Sequence, residues 1–180
     1  MRWKAMRKNL LSFISFAVMI AVLIVVLKII DWLPIMVEKG IMRKYSSVEE
    51  VRLKLDIRDI YVPSYFPQRF TWPPSEILAQ SKPFIAIVME FRDIEKGDIA
   101  LIISQAASPD FVPQTKIKIL QIREKVNYNL KGRDAILEVG VCKNDEPCSQ
   151  ILWDEGKYRI YIVMKSTPFD LIKIADSMIQ

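Results

Sequence analysis

The most constraining feature of the chain is an uncharged run over residues 10–27, LLSFISFAVMIAVLIVVL. Its only polar side chains are those of Ser12 and Ser15. As an α-helix the run would be about 27 Å long, close to the hydrocarbon thickness of a bilayer. A buried helix in a small domain normally keeps one polar edge, which this run lacks. The pattern therefore predicts a transmembrane anchor over residues 10–30, in contact with the lipid bilayer.

The flanks of this run favour an uncleaved anchor over a signal peptide. No small-residue cleavage pattern follows the run, and no cysteine follows that could become a lipidated N-terminus. By the positive-inside rule, residues 1–9 form a cytoplasmic basic tail and the C-terminal part of the chain lies outside. We therefore expect a single-pass cell-membrane protein with a periplasmic or cell-surface domain. The basic residues that precede the run are Arg2, Lys4, Arg7 and Lys8.

Charge and composition exclude several classes of function. The net charge is +5, but 5 of the 26 basic residues lie in the first 30 positions, which leaves 21 to balance the 21 acidic residues. The exterior part is formally neutral, so we predict no nucleic-acid partner. The chain contains no His, the usual general base and the commonest metal ligand. No nucleophile motif or phosphate loop is present, so we predict no enzyme activity, no cofactor and no metal site.

After a stalk over residues 31–46, residues 47–180 predict one extracytoplasmic α+β domain. Ser47 and Glu50 have the spacing of a capping box and predict a helix to residue 55. Residues 116–126 are ambiguous between a bulged strand and a helix. We expect a curved, mostly antiparallel, half-barrel-like sheet packed with helices on one side. The clearest segments are strands at 57–62, 84–91, 99–105, 135–142 and 158–164, the last half-solvated, and a closing helix at 168–179.

Residues 61–74 combine four prolines with five aromatic side chains. Prolines fix φ and remove donors, so the stretch is extended but unsuited to the middle of a sheet. The rings either line the mouth of an apolar pocket or a partner surface, or belong to an edge segment that covers the core. We favour the second interpretation. The candidate ligand- or partner-binding residues are Tyr61, Tyr65, Phe66, Phe70 and Trp72.

The two cysteines, Cys142 and Cys148, enclose Lys-Asn-Asp-Glu-Pro. In an oxidising compartment a pair this close indicates a structural disulfide. Two thiols without His cannot complete a tetrahedral zinc site. A redox-active pair is the other alternative, although the spacing is not C-x-x-C.

Several short motifs resemble a family of extracytoplasmic domains of unknown function. They are Tyr61-Val-Pro with Tyr65-Phe-Pro, Gly132-Arg-Asp, Ile151-Leu-Trp-Asp-Glu-Gly156 and the tail that starts at Asp170. That family is similar to the outer-membrane lipoprotein carrier and to periplasmic sensors that regulate sigma factors. The resemblance implies a half-barrel sheet wrapped over helices, with an apolar cavity for an acyl chain or a partner segment. It supplies no catalytic residue, and the predicted anchor differs from the soluble carriers.

Two functions are consistent with these features. The first is a membrane-anchored binding or sensor domain for an apolar ligand or a partner segment. The second is a single-span accessory subunit of a larger membrane complex. Glu90 is the only acid in a strongly apolar strand, and we expect it to lie at a sheet edge or to pair with Arg92 or a lysine.

Overall fold

The computed structural model describes residues 18–28 and 42–179 of the chain. The chain divides into two compact units, residues 1–41 and residues 42–180. In the first unit, residues 18–28 are helical and their side chains are exposed. Within the described residues, no helix has both the length and the apolar character needed to cross a bilayer. The basic tail, nearly half of the predicted anchor (residues 10–17 and 29–30) and most of the stalk lie outside the described residues, so the anchor stays a prediction.

The second unit is an α+β fold dominated by an eight-stranded sheet in which every neighbouring pair is antiparallel. This confirms the α+β class and the antiparallel pairing, whereas the half-barrel-like curvature stays a prediction. The order of the strands across the sheet is β1-β2-β3-β4-β8-β7-β6-β5. The strands are β1 (Arg43–Tyr45), β2 (Glu76–Gln80), β3 (Ala86–Arg92), β4 (Ile99–Ala106), β5 (Gln121–Leu130), β6 (Arg133–Val141), β7 (Pro147–Glu155) and β8 (Tyr158–Met164).

The sheet consists of two four-stranded meanders joined at its centre. Strands β1–β4 form one meander, β5–β8 form the other, and β4 pairs with β8 from Leu101↔Met164 to Ala106↔Arg159. The chain therefore leaves β4 at the centre of the sheet and begins β5 at its far edge. Residues 107–120 make this connection, and we call them the crossing segment.

Helix α1 (Val48–Leu55) begins where the capping pattern predicts. The backbone N–H of Glu50 donates to the Ser47 hydroxyl at 3.0 Å. The Glu50 carboxylate in turn accepts from the backbone N–H of Ser46 at 2.7 Å, one residue before the position expected in a capping box. The first bond satisfies an amide that the helix leaves unpaired, and the second ties the helix to the residue before its N-cap. Val51 of the helix is fully buried.

Helix α2 (Pro168–Met178) closes the same face of the sheet. Its residues Leu171, Ile174, Ala175 and Met178 are buried in the cluster that contains Val51 of α1. Alternate residues of the strands complete this core, because side chains of a strand point to opposite faces. The largest contributors from the central strands are Met89, Phe91, Leu101, Ile103, Ile160 and Ile162.

The opposite face carries a second apolar cluster beneath the crossing segment. Ile117 packs there with Val88, Ile102 and Val163, and all four are almost fully buried. The expectation of a half-solvated β8 in a sheet covered on one side was therefore wrong. The crossing segment covers this second face of the sheet, whereas the alternating sequence pattern of β8 predicts that the side chains on this face are exposed to solvent.

The crossing segment ends in a close backbone approach at β6. The N–H of Leu120 donates to the Val141 carbonyl at 2.8 Å. A Cβ at Gly140 would lie 2.1 Å from the carbonyl oxygen of Gln121, so only glycine fits there. Residues 116–126 thus resolve into the end of this segment and the start of β5, whose register shifts between Ile122 and Glu124. The bulged-strand interpretation therefore holds from Gln121 onward, whereas residues 116–120 form no strand, and the helix alternative is wrong.

The disulfide expected between Cys142 and Cys148 is present, with a Cα–Cα distance of 5.7 Å. Both cysteines are buried in the cluster beneath the crossing segment. Their loop contains a short 3₁₀ turn, Lys143–Asp145. Lys96, in the β3–β4 turn that Gly97 permits with φ +71, reaches Glu146 of the loop at 2.8 Å. The disulfide therefore links the end of β6 to β7. The Lys96–Glu146 ion pair holds the loop beside the turn between β3 and β4.

The strand predicted at residues 57–62 is not formed. Residues 57–62 form hydrogen bonds to the buried side chain of Gln105 in β4 instead of to a neighbouring strand. The Gln105 amide nitrogen donates to the Asp59 carbonyl at 2.6 Å, and its amide oxygen accepts from the Tyr61 N–H at 2.9 Å. Residues 57–62 are thus extended and held by a side chain, whereas β2 at Glu76–Gln80, which we had not predicted, joins the sheet.

We predict that Gln105→Leu lowers the free energy of unfolding by about 2 kcal/mol, because it leaves two backbone groups without their partner. Urea unfolding of the full chain measures the change, and Gln68→Leu, at an exposed glutamine, provides the matched control. Equal stability of the two variants would contradict the role given to Gln105.

Candidate functional site

The five aromatic residues singled out from the sequence occupy different environments. Phe70 is buried in the core, and Phe66 packs beside it with ring centroids 5.8 Å apart. Tyr61 packs on Tyr158 of β8 at 6.1 Å. Tyr65 and Trp72 remain 40% and 56% exposed. Three rings therefore cover the core, and two are accessible to a ligand or partner.

Tyr61 and Trp72 line a cavity of about 920 Å³, which we call the polar cleft. Its walls come from α1, residues 58–64, the Trp72-Pro-Pro sequence and the end of α2. Burial, Glu155 and Asp59 raise the pKa of the Tyr61 phenol. Tyr65, Phe66 and Phe70 lie outside this lining. The charged side chains of the cleft are Glu49, Arg52, Arg58, Asp59 and Glu155.

A second cavity, about 450 Å³, lies between the crossing segment and the sheet, and we call it the apolar pocket. Its volume is within the range of about 300–1,000 Å³ found for small-molecule sites. The crossing segment forms one wall, and residues of β4, β7 and β8 form the floor. The main apolar lining residues are Phe111, Val112, Ile117, Ile119, Ile122 and Leu152.

A chain of polar contacts begins with Tyr161 and Gln150 on the floor of the apolar pocket and continues across the neighbouring strands. The Tyr161 hydroxyl donates to the Gln150 amide oxygen at 2.8 Å, and the Gln150 amide nitrogen donates to Glu138. Lys125 then lies 2.7 Å from Glu138. The pairings Lys125↔Glu138 and Glu138↔Gln150 place these side chains in line across neighbouring strands. Burial, with a smaller effect of Glu138, raises the pKa of Tyr161 to about 12.

This network determines what the floor offers to a ligand. Tyr161 is protonated at neutral pH, and its proton is directed at Gln150. The phenol oxygen of Tyr161 can therefore still accept a hydrogen bond from a ligand. Ser104, which also lines the pocket, carries a hydroxyl that can donate or accept. The pocket thus combines apolar walls with a few hydrogen-bonding groups at one place.

Ionic contacts hold the crossing segment over the sheet. Lys116 lies 2.7 Å from Glu90 of β3 and 3.3 Å from Glu76 of β2. The Glu90 side chain is only 4% exposed, and its hydrogen bond raises the pKa of Lys116. Arg159 of β8 donates to the Pro109 carbonyl at 2.9 Å. The expectation that Glu90 pairs with a lysine is confirmed, and the partner comes from the crossing segment.

The sequence contained a weak signal for the apolar pocket that our reasoning missed. The crossing segment carries the apolar residues Val112 and Leu120 among polar residues and prolines. In the structure they are 82% and 70% exposed, and Val112 lines the pocket. Such residues in a proline-containing connection indicate either a covering segment or a contact surface. The local pattern does not tell which strands lie beneath them, because that depends on pairing between distant strands.

The chain matches no family model, no curated protein and no solved structure. Among the described residues, no group of three or more cysteine, aspartate and glutamate side chains is arranged to hold a metal ion. The resemblance to lipoprotein carriers and sigma-regulator sensors therefore stays a prediction, as does the non-catalytic role. The geometry of the two cavities is the basis for the proposals that follow.

We predict that Lys116→Met lowers the free energy of unfolding by about 2 kcal/mol, because the Glu90 carboxylate then remains buried without its cation. Thermal or urea unfolding of the full chain measures the loss. Lys118→Met, at an exposed lysine two residues along, is the control. The further change Glu90→Gln should recover most of the lost stability in Lys116→Met, and failure to recover it would contradict this pairing.

Proposed function

We propose that residues 42–180 form a non-catalytic binding domain for an apolar ligand, tethered to the outer face of a membrane by an anchor at residues 10–30. The observation that supports the proposal is the apolar pocket under the crossing segment. Ligand sites in proteins are typically concave, mostly apolar and equipped with a few oriented polar groups. This pocket has each of these properties.

The position of the pocket favours one face of the sheet for the ligand. On the helix side, Phe91, Leu101 and Ile162 are almost fully buried and pack against other core residues. On the opposite side, the crossing segment and the floor enclose space for an apolar chain. The resemblance to lipoprotein carriers supports the same class of ligand, an acyl chain, in a curved, half-barrel-like sheet. Here the ligand would lie away from the helices.

The polar floor favours a ligand with a hydrogen-bond donor at one end. The Tyr161 oxygen would accept that bond, and Ser104 would supply a second contact. Apolar burial provides the driving force at about 25 cal/mol for each Å² removed from water. The polar contacts then orient the ligand in the pocket.

The alternative function is a single-span accessory subunit of a larger membrane complex. The observation that favours it is the exposure of Val112, Leu120 and Ile122 around the apolar pocket. Exposed apolar residues that cluster in this way often contact another protein. A partner segment would then take the place of the small ligand.

We predict that a photoactivatable fatty alcohol, whose hydroxyl group can donate to the Tyr161 oxygen, labels the crossing segment when the full chain is reconstituted in lipid nanodiscs. Leu152→Trp should reduce this labelling several-fold, because the larger ring fills the pocket floor. Peptide mapping by mass spectrometry measures the label, with labelling of residues 10–30 by bilayer lipid as internal standard.

The matched control is Ile136→Trp. Ile136 pairs with Leu152 across β6 and β7, is 36% exposed and lies outside the lining of the pocket. Labelling confined to residues 10–30, or equal labelling of the crossing segment in both variants, would contradict the proposal. A stoichiometric protein partner that protects the crossing segment would favour the accessory subunit.

A further inference from the structure

Trp72 is exposed and yet held in a fixed orientation. Its ring stacks on Phe91 with an interplanar angle of 17° and a centroid distance of 6.0 Å. Phe66 supports it from another direction at 5.4 Å, and Phe91 itself is fully buried. More than half of the Trp72 side chain nevertheless faces solvent at the polar cleft. The fold thus presents a flat aromatic surface whose orientation does not have to be ordered on binding.

Charged groups of both signs line the cleft that Trp72 borders. Glu49 and Arg52 of α1, together with Arg58 and Asp59, line the same cleft. Within residues 18–28 and 42–179, none of these four side chains takes part in an ion pair. Glu155, by contrast, is held by Arg133 through two contacts of 2.9 and 3.1 Å. The cleft therefore offers donors and acceptors in similar number, with no dominant charge.

This balance discriminates between classes of ligand. A largely apolar ligand would remove charged side chains from water without replacing their hydrogen bonds, which is costly. An anion would be attracted by the two arginines but repelled by Glu49 and Asp59. A ligand with many hydroxyl groups matches both sets, because each hydroxyl donates to a carboxylate and accepts from a guanidinium.

The aromatic surface selects further among polyhydroxylated ligands. A sugar ring has polar groups around its rim and C–H groups on its faces, so one face can pack on the Trp72 ring while the rim bonds to charged side chains. Tyr61, at the edge of the cleft, adds a hydroxyl that can donate or accept. The cavity of about 920 Å³ has room for more than one sugar ring.

We propose that the polar cleft is a binding site for a neutral carbohydrate chain, with one sugar ring stacked on Trp72 and its hydroxyl groups bonded to Arg52, Arg58 and the two carboxylates. The site is independent of the apolar pocket, because the two share no lining residue. The domain would then bind a glycan through one site and an apolar ligand through the other.

The test uses the full chain in nanodiscs with three neutral probes: tri-N-acetylchitotriose, cellotriose and maltotriose. Saturation-transfer NMR detects contact with the sugar, and isothermal titration calorimetry measures affinity. We expect at least one trisaccharide to bind, and Trp72→Ala to weaken it about tenfold, a loss of about 1.4 kcal/mol. Phe169→Ala, at an aromatic residue that is 73% exposed and lies outside the cleft, should leave the affinity unchanged.

Arg58→Gln is a second test variant, needed because Trp72→Ala also removes a ring that packs on Phe66 and Phe91. Arg58 is exposed and makes no ion pair within the described part of the chain, so its replacement leaves the core intact. We expect a several-fold weaker sugar affinity in this variant. Absence of binding for all three trisaccharides at millimolar concentration would overturn the proposal. Binding that survives both changes, or binding of acidic oligosaccharides or proline-rich peptides in place of the neutral sugars, would overturn it as well.

Discussion

The pairing of β4 with β8 is the constraint on which the rest of the domain depends. It joins residues 99–106 to residues 158–164, which are separated in sequence by the crossing segment and the other three strands of the second meander. It also prevents β5 from lying next to β4, and the chain must travel to the far edge of the sheet before it can begin the second meander. The crossing segment is the physical consequence, and the second covered face, the Lys116–Glu90 ion pair and the apolar pocket all follow from its path.

The two faces of the sheet consequently have different chemistry. The helix side is a packed core, and its accessible feature is the polar cleft at the rim, where Trp72 and charged side chains meet solvent. The crossing side has a smaller apolar cluster with space between its covering segment and the sheet. A helix packs against a sheet continuously along one stripe, whereas an extended connection with prolines covers it less evenly. This difference accounts for the position of the apolar pocket.

Much of the fold was predictable because its signals are local. The capping residues of α1, the strands β3, β4, β6 and β8 and the cysteine pair each depend on residues close in sequence. The errors arose where partners are distant. Residues 57–62 have the composition of a strand, but the Gln105 side chain takes the place of the neighbouring strand. The local sequence identified the aromatic stretch, and two of its five rings, Tyr65 and Trp72, are exposed in the structure. The residues of the apolar pocket, by contrast, converge only through the strand order. A single sequence does not encode that order in any short motif.

Native-state hydrogen exchange of the full chain tests the central junction most directly. If β4 and β8 join the two meanders, the amides of these strands that bond to one another should be among the slowest to exchange. They should also become exposed together as denaturant is added, since loss of the junction unfolds both meanders. Rapid exchange of those amides, with the two meanders opening at different denaturant concentrations, would contradict the account.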